Sequence, residues 1–305
     1  MHESPTVQYA LLAGWPSVRE FVRVVKRTAL GGQSLDEVLL ADEWARANER
    51  LRQLESIEAG IADVAEPPEL PADLVPMANE ALEDATTRRG LSLLPYRWGL
   101  IDIDRLVVFQ KRIDLTFAEQ LKRLMPPEPT AAEVVRLASK SPENQPPVLP
   151  LQTDGNTFTF SSPSNDLRVL NITSLAVESV RDPLAYSRAS SVLGVFVGYG
   201  ANMIQVLRMH NRVALVNGSH RLFALRQLGI TQVPCLIQTA RRKEDMEMLG
   251  APEILANYER YFVSPRPPLF KDYRDDSLRK VITAPKQSMM LQIELTIRQA
   301  MVPSL

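Results

Sequence analysis

Three side chains that could bind or transfer a charged group stand next to each other at Ser219, His220 and Arg221. Their hydroxyl, imidazole and guanidinium groups can all donate hydrogen bonds to phosphate oxygens, and a guanidinium can do so at two points. An imidazole also titrates near neutral pH, so His220 is the candidate catalytic acid or base, with packing at a helix start as its alternative role. The chemistry that these residues predict is the binding of an anion.

The segments on either side would hold these residues at one point in space. The sequence has a β-branched run at Arg212 to Val216, a helix-like segment at Ser219 to Leu228, and a second apolar run at Val233 to Ile237. Gly218 allows a sharp turn before the helix, and Gly229 stands where a helix C-cap glycine belongs. A strand, a tight turn and a helix direct backbone N–H groups and the positive helix end at one place, which predicts an anion-binding cradle.

The same stretch resembles a known family signature. The string Asn217-Gly218-Ser219-His220-Arg221, then Ala224, Leu228-Gly229 and Val233-Pro234, resembles the signature of the ParB/sulfiredoxin superfamily, with the match centred on residues 205–238. The resemblance implies an α+β domain whose loop cradles the phosphates of a nucleotide, with the arginine as the main ligand. It therefore implies a nucleoside di- or triphosphate (ATP, ADP or CTP) as cofactor, with or without Mg²⁺, held by Asn217, Gly218, Ser219, His220 and Arg221.

Two departures narrow what the resemblance implies. Sulfiredoxins carry a catalytic cysteine where this sequence has Ser219, and a hydroxyl cannot form the sulfur intermediates of sulfinic acid reduction. The chromosome-partitioning branch reads G-E-R-R at the loop, whereas Ser219-His220 is nearer to the G-x-H-R form of free-serine kinases. The implied function is a phosphotransferase or a nucleotide-gated switch, and whether a reaction is catalysed stays open. The alternative is a protein-interaction or structural module that keeps the fold with a non-catalytic pocket.

A second glycine-flanked loop precedes the motif. The residues that could approach the ligand closely from this loop are Gly198, Tyr199, Gly200 and Asn202. For Arg221 we expect an exposed guanidinium at the helix start, so that its removal would weaken ligand binding and change fold stability little.

Composition excludes several classes of function. The chain of 305 residues has a net charge of −1, so we expect no binding to nucleic acid. One cysteine cannot form an internal disulfide, and Cys235 lies in an apolar run typical of a buried strand. With three histidines and no H-E-x-x-H pattern, we expect no metal site built by the protein alone. The chain has neither a signal-peptide pattern nor an apolar run of about 18 residues, which indicates a cytoplasmic, bacterial-type protein without membrane contact.

The coarse pattern predicts an α-helical N-terminal half followed by an α+β domain. Helical spacing predominates in residues 1–145, where only the β-rich run Leu93 to Lys111 predicts a strand that turns into a helix. Short alternating strands follow the prolines at 142–150, and the predicted domain covers 150–240. Residues 241–305 form an extension in which 289–299 alternate as a final strand. Helix starts are predicted at Ser17, at Ser34 with Glu37, and at Thr130 with Glu133, and the helical half is the expected surface for a protein partner or for self-association.

Overall fold

The structure is a computed structural model that describes residues 5–83, 85–139, 147–164, 167–179, 189–200, 202–249 and 252–301. Its α-helices are α1 (Val18–Thr28), α2 (Glu37–Glu58), α3 (Val75–Asn79), α4 (Ala85–Leu91), α5 (Leu115–Arg123), α6 (Ala131–Ser139), α7 (Ser219–Gln227) and α8 (Pro252–Ala256). Its strands are β1 (Thr6–Leu12), β2 (Tyr96–Asp102), β3 (Arg112–Asp114), β4 (Leu149–Asp154), β5 (Thr157–Ser162), β6 (Leu167–Leu175), β7 (Val192–Tyr199), β8 (Gln205–Met209), β9 (Arg212–Asn217), β10 (Gln232–Ala240), β11 (Arg279–Pro285) and β12 (Met289–Glu294). Helices and strands occur together in several small sheets, so the fold class is α+β.

The chain forms two compact units. The first combines Met1–Ser141 with Asn202–Lys286, and the second combines Pro142–Ala201 with Gln287–Leu305. These units differ from the predicted division at 1–145, 150–240 and 241–305. The reason is strand pairing over long sequence distances: β2 pairs with β10, and β1 pairs with β11. Segments from both ends of the chain therefore join the motif in one unit.

One sheet of the first unit carries the motif. Its strand order is β2-β10-β8-β9, with β8 and β9 antiparallel and β10 parallel to β8. Helix α7 makes the crossover from β9 to β10, as the spacing predicts, and Gly229 follows it with a φ of 85°. Leu215 of β9, Leu222 of α7 and Cys235 of β10 are fully buried in the core between this sheet and its helices. Burial also raises the pKa of the Cys235 thiol, which is inert here.

A second sheet of the first unit corrects the prediction of a helical N-terminal half. Helices α1 to α6 lie in residues 1–145, but the unpredicted strands β1 and β3 lie there too, together with β2, which falls within the β-rich run Leu93 to Lys111 where a strand is predicted. Strand β1 is the centre of a sheet of order β11-β1-β3, and its partner β11 comes from the C-terminal region. Local periodicity does not reveal such a strand, because its pairing partner is far away in the sequence.

The predicted helix starts are confirmed at two of three places. The Ser17 hydroxyl accepts a hydrogen bond from the N–H of Glu20 at 3.2 Å, and Thr130 and Glu133 form the reciprocal capping box. The start predicted at Ser34 is wrong, because Asp36 caps α2 instead and its carboxylate accepts from Val38 N at 2.8 Å. A carboxylate is an equally good N-cap, and here it stands two residues later.

The described part of the second unit is built mainly of β-strands. Strands β12, β5 and β4 form one sheet in that order, and β6 and β7 form an antiparallel pair. The predicted final strand is confirmed over Met289–Glu294, although it ends before residue 299. Among the described residues, no helix has both the length and the apolar character needed to cross a membrane.

Candidate functional site

The loop between β9 and α7 has the turn that the sequence predicts. Gly218 adopts a left-handed conformation with φ 104°, and a Cβ at this position would lie 2.8 Å from Ile204 Cγ1 and 3.1 Å from Ile204 Cα. Only glycine therefore fits this close approach without strain. Gly218 is the N-cap of α7 and makes no side-chain cap hydrogen bond. The first helical bond runs from Leu222 N to Gly218 O at 2.9 Å, and the N–H groups of Ser219 and His220 have no acceptor among the described residues.

His220 lies at the start of α7 as a neutral ring. Burial lowers its pKa from 6.5 to about 4, and the positive charges of Arg221 and Arg112 add to this, whereas the carboxylate of Asp114 opposes it. The ring packs edge-on against Phe117 with a centroid distance of 5.4 Å. A neutral imidazole can still donate or accept a hydrogen bond, but with this pKa it is a weak base at pH 7. The lowered pKa therefore favours hydrogen bonding over proton transfer for this residue.

The lowered pKa of His220 predicts a stability that depends on pH. The unfolded chain protonates this ring near pH 6.5 and the folded protein only near pH 4, so the unfolded state binds more protons between these values. The contribution is fully present above pH 6.5 and is lost as the pH falls toward 4. Because the ring is partly exposed, we expect that roughly 1–2 kcal/mol of unfolding free energy is lost between pH 7 and about pH 4.5.

Chemical denaturation at both pH values checks this expectation, with His220→Gln as the reference that cannot titrate. The variant should lose less stability than the natural protein over the same pH interval. Titration of the His220 ring by NMR near its ordinary pKa would contradict the lowered pKa and the neutral state of the ring.

The solvent exposure of Arg221 differs from the prediction. The residue is only 4% exposed, so the expected exposed guanidinium is wrong. Its Nη1 donates to the carbonyl oxygens of Leu137 at 3.1 Å, Ala138 at 3.3 Å and Asn202 at 2.7 Å, and its Nη2 donates to Asn202 Oδ1 at 3.0 Å. Leu137 and Ala138 are in the last turn of α6, where carbonyl groups lack helical partners and a cation is favoured. The guanidinium therefore binds the protein itself through both terminal nitrogens.

The bonds of Arg221 join two points of the chain that are distant in sequence. Helix α6 is the last element of the first unit before the chain passes into the second, and Asn202 is the residue at which it returns. Ala138 O also accepts from Ile204 N at 2.7 Å, and Ile204 lies directly against Gly218. Arg221 thus links the end of α6, where the chain leaves the first unit, to Asn202, where the chain re-enters it, and both lie next to the Gly218 turn.

The other predicted site residues divide between the two units. Asn202 lies beside Arg221, and Asn217 pairs with Gln205 in the register of β8 and β9. The remaining three belong to the second unit: Gly198 and Tyr199 are on β7, and Gly200 follows it. There the Tyr199 hydroxyl is 2.6 Å from Ser162 Oγ, and a Cβ on Gly200 would lie 2.6 Å from the Arg168 guanidinium carbon. Their role in holding a cofactor stays a prediction.

Three residues near the loop between β9 and α7 were not predicted as part of the site. Asp114 caps α5 by accepting from Phe117 N at 2.9 Å, and Phe117 contacts His220. Arg112 is exposed on β3 with its guanidinium carbon 4.5 Å from the centre of the Tyr9 ring, and its charge reaches His220. These residues precede the motif by about a hundred positions, and only the packing of α5 against α7 brings them to it.

The described part of the chain offers no group of three or more His, Cys, Asp or Glu side chains that could hold a metal ion. The likeness to the ParB/sulfiredoxin signature rests on the motif residues alone. No family model, curated protein or solved structure matches the chain.

Proposed function

We propose that this is a cytoplasmic protein that binds a nucleoside di- or triphosphate at the start of α7. The observation that carries the proposal is the Gly218 turn, which leaves the N–H groups of Ser219 and His220 without a cap or an acceptor in the described structure. Such groups at a positive helix end favour an anion. The ligand in question is ATP, ADP or CTP, and the consequence of binding is phosphate transfer or a nucleotide-gated switch.

The surroundings of the loop support an anion of moderate charge. Arg112 supplies a positive charge near His220, and the neutral imidazole can donate to a phosphate oxygen. The carboxylate of Asp114 opposes a highly charged ligand, so a divalent ion that neutralises part of the phosphate charge should help. In this arrangement Arg221 holds the loop between β9 and α7 in position through its hydrogen bonds to the protein, and the main-chain N–H groups of Ser219 and His220 contact the phosphate.

A panel of nucleotides with and without Mg²⁺ tests the proposal by thermal unfolding of the full chain. A ligand that binds only the folded state raises stability by about 2.7 kcal/mol at a concentration of a hundred times its Kd. We expect ATP, ADP or CTP to raise the Tm, and adenosine or cytidine without phosphate to have no effect.

Ser219→Asp is the variant that isolates the phosphate contact. A carboxylate in the first turn interacts favourably with the helix dipole, so the fold should be retained, while its charge repels a phosphate. We expect nucleotide affinity to fall at least tenfold, and Ser219→Ala, the matched control that keeps the main-chain donors, to change it by less than about threefold. Equal affinity in Ser219→Asp and the natural protein would place the phosphates elsewhere.

A second candidate is an interaction or structural module that keeps the fold with a non-catalytic loop. The observation in its favour is the engagement of Arg221 by four protein acceptors, which removes the main cation of the motif from the surface. If no nucleotide raises the Tm, this candidate is favoured and the helical elements of the first unit become the surface to examine for a partner.

A further inference from the structure

Two adjoining cavities in the first unit lie away from the α7 loop. The first, of about 90 Å³, is lined largely by apolar side chains, including Leu11, Phe21, Val24 and Tyr261. The second, of about 320 Å³, is of mixed character and has the polar side chains of Asn48, Arg52, Glu55 and Ser264 in its lining. Trp15 and Arg260 line both cavities. We call the two cavities together the Trp15 groove.

The charge of the Trp15 groove is positive where its two halves meet. Arg260 is exposed, and its side chain has no ion pair or hydrogen bond within the described ranges. Arg52 has only a distant contact of 3.7 Å with Glu49, and both of these side chains are largely exposed. Among the described residues, Glu55 is the one acidic side chain that lines the second cavity, and the two exposed guanidinium groups outweigh its charge. A negatively charged ligand group is therefore favoured beside Arg260.

The backbone that carries Arg260 has an unusual conformation. Glu259–Val263 is a turn of π-helix, closed by a hydrogen bond from Ser264 N to Glu259 O at 2.8 Å. Isolated π-turns are rare and are frequent at functional sites, because they change the direction of successive side chains. Here the turn brings the neighbours Arg260 and Tyr261 to the same groove, with Arg260 at the junction and Tyr261 in the apolar half.

The aromatic wall of the groove is fixed before any ligand binds. Trp15 Nε1 donates to Asp272 Oδ2 at 3.2 Å, and Asp272 is in turn held by two bonds from the buried Arg266. Arg212 Nη1 donates a hydrogen bond to Tyr261 O at 3.2 Å, and this bond holds the backbone of the π-turn in place. Preformed walls of this kind reduce the entropy cost of binding, and small-molecule sites are commonly apolar cavities with a few convergent polar groups.

We propose that the Trp15 groove binds a small amphipathic organic anion. Its apolar body lies between Phe21, Val24 and Tyr261, and its anionic group meets Arg260 beside Trp15. This site is separate from the α7 loop, and its ligand needs no phosphate or nucleoside.

The fluorescent probe 8-anilinonaphthalene-1-sulfonate has this chemistry and tests the groove in the full-length protein. We expect a saturable fluorescence increase with one site per chain and a rise in Tm with probe concentration, which requires binding to the folded state. Decanoate should displace the probe at least tenfold more effectively than the uncharged decanol. A lowered Tm, or equal displacement by both compounds, would overturn the proposal.

Two variants place the probe in the groove. Arg260→Ala, at an exposed position, should weaken probe binding about tenfold, and Val24→Phe should weaken it by filling the apolar half. Arg46→Ala is the matched control, since Arg46 is an exposed arginine on α2 that does not line the groove, and it should bind the probe like the natural protein. If Val24→Phe fails to fold by circular dichroism, Arg260→Glu replaces it with an expected loss greater than that of Arg260→Ala. Unchanged binding in Arg260→Ala would overturn the proposal.

Discussion

Replacing Asp272 with asparagine is expected to lower the free energy of unfolding by about 3–5 kcal/mol, because it leaves the charge of Arg266 buried without its main partner. Both side chains are only 1% exposed. Asp272 accepts from Arg266 Nη1 at 2.9 Å and from Nη2 at 2.6 Å, and it also accepts from Leu269 N at 3.0 Å. Burial opposes the charge of Arg266, but the hydrogen bonds and negative charges of Asp272 and Glu58 outweigh it and raise the pKa of the guanidinium.

This buried network joins distant parts of the first unit. Arg266 Nε donates to Glu58 Oε2 at 2.9 Å near the end of α2, and Lys271 Nζ donates to the other oxygen of Glu58 at 2.7 Å. Trp15 depends on the same carboxylate of Asp272 for its indole hydrogen bond. The substitution should therefore also reduce probe binding in the Trp15 groove.

Denaturant unfolding of Asp272→Asn measures the effect, and Asp276→Asn is the matched control. The Asp276 side chain is 87% exposed in its pair with Arg279, so its loss should cost about 0.5 kcal/mol or less. A similar, small change in both variants would show that the Asp272 network does not stabilise the fold as its burial indicates.

The second large effect is expected for Arg221→Ala, which should lower the free energy of unfolding by about 2–4 kcal/mol. The substitution removes the donor for the carbonyl groups of Leu137, Ala138 and Asn202, which lie at or near the protein interior. Arg221→Lys should recover only part of the loss, because an ammonium group cannot reach acceptors in the planar pattern of a guanidinium.

Arg226→Ala is the control for this experiment, since Arg226 lies on the same helix. Its guanidinium pairs with Asp104 at 2.9 Å, but both side chains keep some exposure, so its loss should cost about 1 kcal/mol. If Arg221→Ala instead keeps its stability and loses the nucleotide-dependent rise in Tm, Arg221 is a phosphate ligand and its bonds in the free protein are exchanged on binding.

The elements around the motif could be predicted because their signals are local. Asn217-Gly218 and Gly229 mark the two ends of α7, and both glycines have the positive φ that the pattern requires. The caps at Ser17 and Thr130 were likewise predictable, since a hydroxyl accepts a hydrogen bond from an N–H only three residues away. The general α+β class followed from the change in hydrophobic period along the chain.

The features that the sequence did not predict depend on pairing partners that are far apart along the chain. Strand β1 is a strand because β11 and β3 pair with it, and these partners follow it by about a hundred residues or more. The same pairing explains why the predicted domain boundaries differ from the two units: contacts between chain ends decide which segments fold together. No local pattern carries that information.

Residue types at the motif were readable from the sequence alone: a glycine turn followed by a hydroxyl, an imidazole and a guanidinium at a helix start. Tertiary structure alone decided what each side chain faces. It buries Arg221 against carbonyl groups of α6, 83 and 84 residues earlier in the chain, and it sets His220 against Phe117. It also places Arg260 beside Trp15, which no spacing indicates. The physical reason is that burial and hydrogen-bond partners, which determine whether a charged group binds a ligand or holds the fold, are properties of packing between distant segments.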